Sequence, residues 1–338
     1  MASMRSAACP ATQASDPPPR LVGIARMAAE SPQVRERAEV EYFALESRSA
    51  LNRESSGRLP FAWTLNPYRG CEFGCKYCYA RYTHEFMELK DGLDFERKIY
   101  AKVTAPERLH EEIRQAKDKG LPIALGTATD PYQPAEKQFE ITRRMLETLL
   151  DFTGLDFSIT TKSTLILRDV DLLREISGKH RFSVHLTVTT TNAHLARLLE
   201  PKAPPPAKRL EAVRALAEAG IRVGVNAMPI LPGLTDSPAA LEELARQASE
   251  ARAQFLYGNV LFLKPSAMSQ FMPFLEREFP QLVRRYRKLY ACSAYLRGEY
   301  PERLMKLVAE LRSRYGLEGR REDALPHARH PQLALQFG

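Results

Sequence analysis

Three cysteines, Cys71, Cys75 and Cys78, lie within eight consecutive positions of this 338-residue chain. Thiolates separated by three and then two residues on a tight loop can converge on one metal centre, and zinc and iron-sulfur clusters are the usual occupants. Structural zinc needs four ligands, and His84 is the nearby candidate for a fourth. An iron-sulfur cluster held by three thiolates instead leaves one iron open to another ligand. Gly70 and Gly74 would let the backbone wrap closely around such a centre.

The elements that must position this loop can be predicted from residue 61 onward, where short apolar runs alternate with helical patterns. The runs predict six strands, at 61–67, 122–129, 156–162, 182–189, 222–230 and 255–263. Helical patterns separate most of these strands, which indicates successive βα units and a parallel sheet covered by helices. Six such units fit either an open doubly wound sheet or a partial barrel.

Both of those folds place their chemistry at the carboxyl ends of the strands. Polar residues stand at or near the predicted strand ends and form the candidate site together with the cysteine loop: Thr127, Thr129, Asp130, Lys162, Thr189, Thr190, Thr191, Asn192 and Asn226. Lys162 has a simple possible role, since a cation at a strand end can hold a carboxylate.

The chain divides into three predicted regions. Residues 1–58 are rich in Ala, Ser, Pro and Arg with weak periodicity, and they predict a flexible N-terminal tail and lead-in. Residues 59–265 contain the βα units. Residues 266–338 form a basic helical C-terminal region.

Charge is concentrated near the C-terminus. The formal net charge is +8, and residues 284–321 alone hold eleven Lys or Arg against four Glu. Four tyrosines interleave with these cations, as a surface that stacks bases and binds phosphates would require: Tyr286, Tyr290, Tyr295 and Tyr300. Nucleic acid is therefore a candidate partner, and solvated faces of amphipathic helices are the alternative.

Hydropathy predicts a soluble protein, because no apolar run approaches the roughly 18 residues that span a bilayer. The first twenty residues lack the pattern of an export signal, so the cytoplasm is the expected location and no membrane partner is expected. The cysteines are clustered rather than spread through the chain, which disfavours a disulfide framework. Cys292, in a basic helical stretch, is expected to be a buried small hydrophobe.

The C-x3-C-x2-C pattern, with Tyr77 before the last cysteine and a βα series behind it, resembles the radical S-adenosylmethionine (SAM) superfamily. The resemblance implies a partial (βα)6 TIM-type barrel with a helical C-terminal extension. It implies a 4Fe-4S cluster on Cys71, Cys75 and Cys78, whose open iron binds SAM and cleaves it to a 5′-deoxyadenosyl radical that abstracts hydrogen from a substrate. Tyr77 would lie near the adenine, and a flavodoxin or ferredoxin would donate the electron.

Stretches such as "CKYCYARYTHEF", "GTATDPYQPAEKQF" and "NAMPILPGLTD" resemble the spore photoproduct lyase-like group from about residue 61 to 265. By position, the resemblance assigns SAM contacts to Lys162, to Thr189 and Thr191, and to Thr129 and Asp130. Tyr79 matches a tyrosine that takes part in radical transfer. Asn226 is added as a cofactor contact because of its place on the fifth strand.

One departure affects the expected reaction. The lyase has a cysteine near the end of the second strand that returns a hydrogen atom, and Thr127 or Ala128 stands there instead. Three hypotheses follow: a radical enzyme acting on nucleic acid, with damaged DNA favoured; the same chemistry on RNA, a peptide or a small metabolite; and a non-catalytic zinc module that uses the cysteines and His84.

Overall fold

The computed structural model of the chain describes residues 21–37, 39–54, 59–89, 91–116 and 122–319. In chain order, the strands are β1 (Gln33–Arg37), β2 (Val40–Leu45), β3 (Leu51–Arg53), β4 (Trp63–Leu65), β5 (Tyr68–Arg69), β6 (Lys98–Lys102), β7 (Ile123–Leu125), β8 (Asp156–Thr161), β9 (Arg181–Thr187), β10 (Val223–Ile230) and β11 (Leu256–Val260). The helices are α1 (Gly23–Glu30), α2 (Tyr82–Glu85), α3 (Asp94–Arg97), α4 (Ala105–Ala116), α5 (Glu136–Phe139), α6 (Ile141–Leu149), α7 (Val170–Lys179), α8 (Ala193–Leu199), α9 (Pro206–Glu218), α10 (Pro238–Glu250), α11 (Pro265–Glu278), α12 (Val283–Leu289) and α13 (Glu299–Arg314). Within these ranges, no helix is both long enough and apolar enough to cross a membrane.

A seven-stranded sheet forms the centre of the fold, in the spatial order β3, β4, β7, β8, β9, β10, β11. The six strands from β4 to β11 in this order are parallel, whereas β3 pairs antiparallel with β4 at one edge. They coincide to within a few residues with the six predicted strands, so the partial barrel expected for this chain is confirmed. Because all six run in the same direction, their carboxyl ends meet at one edge of the sheet, and this edge holds the candidate site.

The two faces of the sheet differ in polarity, as β9 illustrates. Phe182, Val184 and Leu186 are buried, while Ser183 and His185 alternate with them and are partly exposed. Successive strand side chains point to opposite faces. The apolar set therefore packs against the covering helices, and the polar set lines the opposite face of the sheet.

A second sheet of four strands lies beside the cysteine loop, in the order β1, β2, β6, β5. It corrects the tail and lead-in predicted for residues 1–58, because residues 33–45 contribute two of its strands and residues 51–53 form the edge strand β3. The physical reason is burial at Val40, Tyr42 and Leu45, which anchors β2 against β6. Residues 1–20 and 55–58 of the predicted tail lie outside the described residues.

The helices that follow β11 share the hydrophobic core of the barrel. Leu304, Val308 and Leu311 of α13 belong to the same buried cluster as the strands, and a Cβ added to Gly258 of β11 would lie 3.1 Å from Val308. The residue boundaries predicted for the three regions stay predictions.

Two expectations for the C-terminal region are wrong. Tyr286 and Tyr290 are buried and stack on each other at 5.9 Å, so they are core residues and do not belong to a base-stacking surface. Tyr286 lies in α12 and Tyr290 caps its C-terminus one turn later, so both rings face the same side, which explains their burial. Cys292, which was expected to be buried, is exposed because it follows the end of α12.

Candidate active site at the carboxyl edge of the sheet

The cysteine loop starts directly after β5, and its backbone requires glycine at two positions. Gly70 has φ +82°, and a Cβ there would lie 2.7 Å from the carbonyl oxygen of Lys98 and 2.9 Å from that of Phe95. Gly74 has φ +63°. Both residues adopt the left-handed region that glycine enters without steric cost, in agreement with the close wrapping expected of this loop.

The loop is held from two sides by backbone hydrogen bonds. The Cys71 N–H donates to the carbonyl of Phe95 in α3 at 2.8 Å, and the Lys76 N–H donates to the carbonyl of Leu199 at the end of α8 at 2.9 Å. The cysteines therefore sit between α3, which leads into β6 of the second sheet, and α8 of the barrel.

The three thiols are free and lie in a region of strong desolvation. Burial raises the pKa of all three groups, that of Cys75 to about 12, and the neighbouring cysteines raise the pKa of Cys71 further. Two cations act in the opposite direction: Lys162 lowers the pKa of Cys75, and Arg81 lowers that of Cys78. The three thiols are close enough to shift one another's pKa, and two cations lie near them. Such a donor set suits an anionic cluster that is bound by thiolates.

His84 does not complete a zinc site with these cysteines. Its Nε2 lies 3.0 Å from the carbonyl oxygen of Lys98, and its ring packs edge-on against Phe95 at 5.1 Å. Burial lowers its pKa to about 4, so the imidazole is neutral. The contact of Nε2 and the packing of the ring tie His84 to β6 and α3, which disfavours its use as a fourth zinc ligand.

Lys162 follows β8 and extends its ammonium toward the cysteine loop. Its Nζ lies 5.7 Å from the centre of the Tyr77 ring. Burial alone would lower its pKa, but the nearby Cys75 and Glu200 outweigh this effect and the pKa is raised. The side chain is therefore a stable cation beside the thiols, as required of a residue that binds a carboxylate.

A buried ion pair behind Lys162 was missed in the sequence. Glu200 and Arg209 approach to 2.5 Å with side chains no more than 1% exposed. Glu200 also accepts hydrogen bonds from the hydroxyls of Tyr77 and Thr189, the latter at 3.1 Å. Arg209 lies among buried apolar positions of α9, and a charge on the apolar face of a predicted helix was the available signal.

Thr129 and Asp130 hold the polypeptide around the site. The Thr129 hydroxyl donates to the carbonyl of Gly70 at 2.6 Å. Asp130 accepts from the Thr161 hydroxyl at 2.6 Å and from the Lys162 backbone N–H at 2.7 Å. Burial raises the pKa of Asp130, and these hydrogen bonds oppose that effect. Thr129 thus joins the segment after β7 to the cysteine loop, and Asp130 joins that segment to β8 and the residue after it. Their assignment as SAM contacts stays a prediction.

The remaining predicted cofactor contacts lie farther along the same edge. Thr189 is buried against Glu200, and Thr191 is partly buried before α8. Asn226 is buried on β10, and its Oδ1 lies 3.3 Å from Nδ1 of His185, a residue that sequence reasoning did not single out. The structure thus brings Thr189 close to Lys162 through Glu200, whereas Asn226 belongs to a second polar group around His185.

Tyr79 lies next to the position where the expected cysteine is missing. Its hydroxyl donates a hydrogen bond to the carbonyl oxygen of Thr127. The Thr127 hydroxyl accepts from the Asn66 amide at 3.1 Å, and Asn66 also accepts from the Ala128 N–H at 2.8 Å. Asn66, another residue missed in the sequence, thereby ties the end of β4 to the end of β7. Burial raises the pKa of Tyr79, so its hydroxyl stays protonated.

The family model of the radical SAM superfamily matches residues 65–248. An uncharacterized protein of Mycobacterium tuberculosis is 36% identical over 290 residues, which cover 86% of this chain and 85% of that protein. An uncharacterized protein of Methanocaldococcus jannaschii is 30% identical over 245 residues, covering 72% of this chain and 86% of its own length.

Solved structures with the same fold include spore photoproduct lyase. One variant in complex with dinucleoside spore photoproduct has a TM-score of 0.62 at 14% identity, covering 81% of this chain and 79% of that one. Another, with SAM and dinucleoside spore photoproduct bound, has a TM-score of 0.59 at 15% identity and covers 85% and 86%. Streptococcus suis SuiB with its precursor peptide has a TM-score of 0.50 at 15% identity and covers 76% and 47%.

The matched family range contains the whole cysteine loop and most of the parallel sheet. Members of the family bind a 4Fe-4S cluster and SAM, and the free thiols at the strand ends suit the first of these groups. The chain belongs to the radical SAM superfamily and has the fold of spore photoproduct lyase.

Proposed function

We propose that this radical SAM enzyme abstracts hydrogen from a nucleic acid, with a DNA lesion as the favoured substrate and a carbon-carbon lyase or related reaction. The observation that carries the chemistry is the meeting of three free thiols and the Lys162 cation at the carboxyl edge of the sheet. The cluster, when bound, supplies the electron that splits SAM into methionine and a 5′-deoxyadenosyl radical.

The residues of the chain would bind and orient the cofactor. Cys71, Cys75 and Cys78 would hold the cluster, and Lys162 would hold the carboxylate of the methionyl group by a charge-assisted hydrogen bond. Glu200 supports Lys162 electrostatically, since it raises the pKa of that ammonium. Burial of the loop would exclude water from the radical, which limits side reactions.

Two observations support nucleic acid as the substrate. The C-terminal region carries exposed cations, among them Arg284, Lys288, Arg297 and Arg303, which favour a polyanion. The fold is also shared with a lyase whose structures contain a dinucleoside photoproduct. Restriction to DNA and the cytoplasmic location expected from the sequence are parts of the proposal.

Thr127 bears on the last step of the reaction. A hydroxyl is a poorer hydrogen-atom donor to a carbon radical than a thiol, so a strict spore photoproduct lyase reaction is not expected here. Tyr79 is the proposed catalytic residue, because its hydroxyl is protonated and lies next to that position.

The test is anaerobic reconstitution with iron and sulfide, followed by measurement of 5′-deoxyadenosine with a chemical reductant. Ultraviolet-irradiated DNA should stimulate its release more than unirradiated DNA, and mass spectrometry should detect altered nucleotides. A flavodoxin or ferredoxin should replace the chemical reductant. Absence of 5′-deoxyadenosine from an iron-loaded sample would contradict the proposed chemistry itself.

A second candidate keeps the chemistry and changes the substrate to RNA, a peptide or a small metabolite. The presence of Thr127 or Ala128 in place of the donor cysteine favours it, because the final hydrogen transfer must then differ from that of the lyase. SuiB, bound to a precursor peptide, has a related fold. Stimulation of 5′-deoxyadenosine release by one of these classes, with no response to any DNA, would select it.

A further inference from the structure

A cavity of about 370 Å³ opens between α12, the segment after it and the start of α13. Three cations, Arg285, Lys288 and Arg297, and two tyrosines, Tyr295 and Tyr300, line it together with leucine and proline side chains. No acidic side chain is among its lining residues. Its volume is at the lower end of the range of about 300 to 1,000 Å³ that is typical of small-molecule sites.

In the part of the chain that the structure describes, one of the three cations in this cavity is paired with a carboxylate, and the other two are not. Arg285 pairs with Asp236 at 3.3 Å, and the Tyr300 hydroxyl donates to the same carboxylate at 2.7 Å. These contacts anchor the cavity to the loop after β10. Lys288 and Arg297 are exposed and have no ion-pair partner among residues 21–319 as far as the structure describes them. Two cations therefore remain for an anionic ligand.

The cavity adjoins the cysteine loop through a row of aromatic rings. The Tyr295 ring stacks on Phe262 at 4.2 Å, and Phe262 lies 6.2 Å from the ring of Tyr79, which directly follows Cys78. The backbone is joined as well, since the N–H of Leu263 donates to the carbonyl of residue 294 at 3.0 Å. The cavity thus stands at the same edge of the sheet as the thiols.

We infer that this cavity binds one nucleotide of a nucleic-acid strand, next to the nucleotide that reacts at the cysteine loop. Lys288 and Arg297 contact its phosphate, and Tyr295 stacks on its base. The inference rests on the proposed function, which it makes specific by naming where the strand is held. A cavity lined by two unpaired cations and two tyrosine rings, without carboxylates, suits a ligand that is both anionic and planar.

The experiment measures the affinity of the iron-loaded full chain for a fluorescent single-stranded oligothymidylate over a range of salt concentrations. The variant Lys288→Gln/Arg297→Gln should lower the slope of log K against log salt by about 0.7, because one phosphate of the single strand loses its cationic contacts. A matched control, Arg114→Gln/Arg174→Gln, removes two exposed cations from α4 and α7 and should keep the wild-type slope. Circular dichroism and iron content check that each variant is folded.

Tyr295→Leu provides an independent test of stacking. It should keep the salt slope and weaken binding about 5- to 150-fold, the range expected for one lost base contact. An oligouridylate arm compares RNA with DNA, and a free thymidine monophosphate arm distinguishes a strand from a free nucleotide. Competition by the monophosphate at the affinity of the oligomer would overturn the assignment to a strand.

The outcomes separate the two proposals. If the wild-type chain binds oligonucleotides but the cavity variants match the control pair, the cavity is not the binding site while the proposed function stands. If the wild-type chain binds neither DNA nor RNA, the substrate class of the proposed function is refuted together with the cavity. Binding that is tighter for one polymer and is lost in the cavity variants supports the inference and selects that polymer.

Discussion

Neutralisation of the buried Glu200 should strongly lower the stability of this fold. Its partner Arg209 is 1% exposed, so Glu200→Gln leaves a guanidinium in the interior without a compensating charge. Removing one partner of a buried ion pair costs about 3 to 5 kcal/mol in the free energy of unfolding. With a urea slope of about 3 kcal/mol per molar, the unfolding midpoint should fall by roughly 1 to 1.7 M.

The assay is equilibrium unfolding in urea, followed by circular dichroism near neutral pH. Glu243→Gln is the matched control, because Glu243 forms an ion pair with Arg246 at 2.6 Å in which both side chains are more than 40% exposed. Solvent screens exposed pairs, so the control midpoint should stay close to wild type. Equal urea midpoints for the two variants would refute the claim that Glu200→Gln leaves Arg209 buried without a compensating charge.

The same pair predicts a pH dependence. Burial would raise the pKa of Glu200, but Arg209 and Lys162 outweigh it and the pKa is lowered. A carboxyl group with a lowered folded-state pKa stabilises the fold above its unfolded pKa of about 4.3, and this contribution is lost as pH falls through the folded value. The stability difference between wild type and Glu200→Gln should therefore be constant near neutrality and shrink only below about pH 4.

Further substitutions at five positions test the site. Cys78→Ala should abolish cluster assembly, measured as iron and sulfide per chain, and all SAM cleavage, whereas Thr127→Ala should keep cleavage. Lys162→Gln should weaken SAM binding by about 10- to 150-fold in equilibrium dialysis, since one charge-assisted hydrogen bond is lost, and Lys162→Arg should recover part of the affinity. His84→Ala should keep the wild-type iron content, and loss of metal would revive the zinc alternative. Tyr79→Phe should keep uncoupled 5′-deoxyadenosine release but lower the yield of repaired product, and an unchanged yield would remove Tyr79 from the hydrogen-transfer step.

The strands of the barrel could be predicted because their signal is local. Each of the six parallel strands is a short apolar run followed by polar residues, and each was found to within a few residues. The second sheet gave no such signal. Its strand β2 buries Val40, Tyr42 and Leu45 at irregular spacing and is anchored by pairing with β6, about sixty residues away in sequence. Register between distant segments is a tertiary effect that composition does not reveal.

The tyrosines of the C-terminal region show how spacing carries more information than composition. Tyr286 of α12 and Tyr290, at its C-terminal cap, are four positions apart and both buried, while Arg285 and Lys288 line the cavity. Composition alone places the four tyrosines on one surface. The four-residue spacing of Tyr286 and Tyr290 instead marks them as core residues, whereas Tyr295 and Tyr300 line the cavity. The same reasoning would have placed Arg209 inside the fold.

The proposed difference in the final hydrogen transfer depends on the segment that contains Thr127. The Thr127 carbonyl accepts the Tyr79 hydroxyl, and its own hydroxyl bonds to Asn66, so the residue is used structurally at the junction of β4 and β7. A cysteine is not needed to hold this junction, because Asn66 also binds the Ala128 N–H. The geometry that brings Tyr79 to this point is therefore independent of the missing thiol. The residues proposed to generate the radical can therefore be retained while the residues that return the hydrogen atom differ. This is the reason to search for substrates beyond the spore photoproduct.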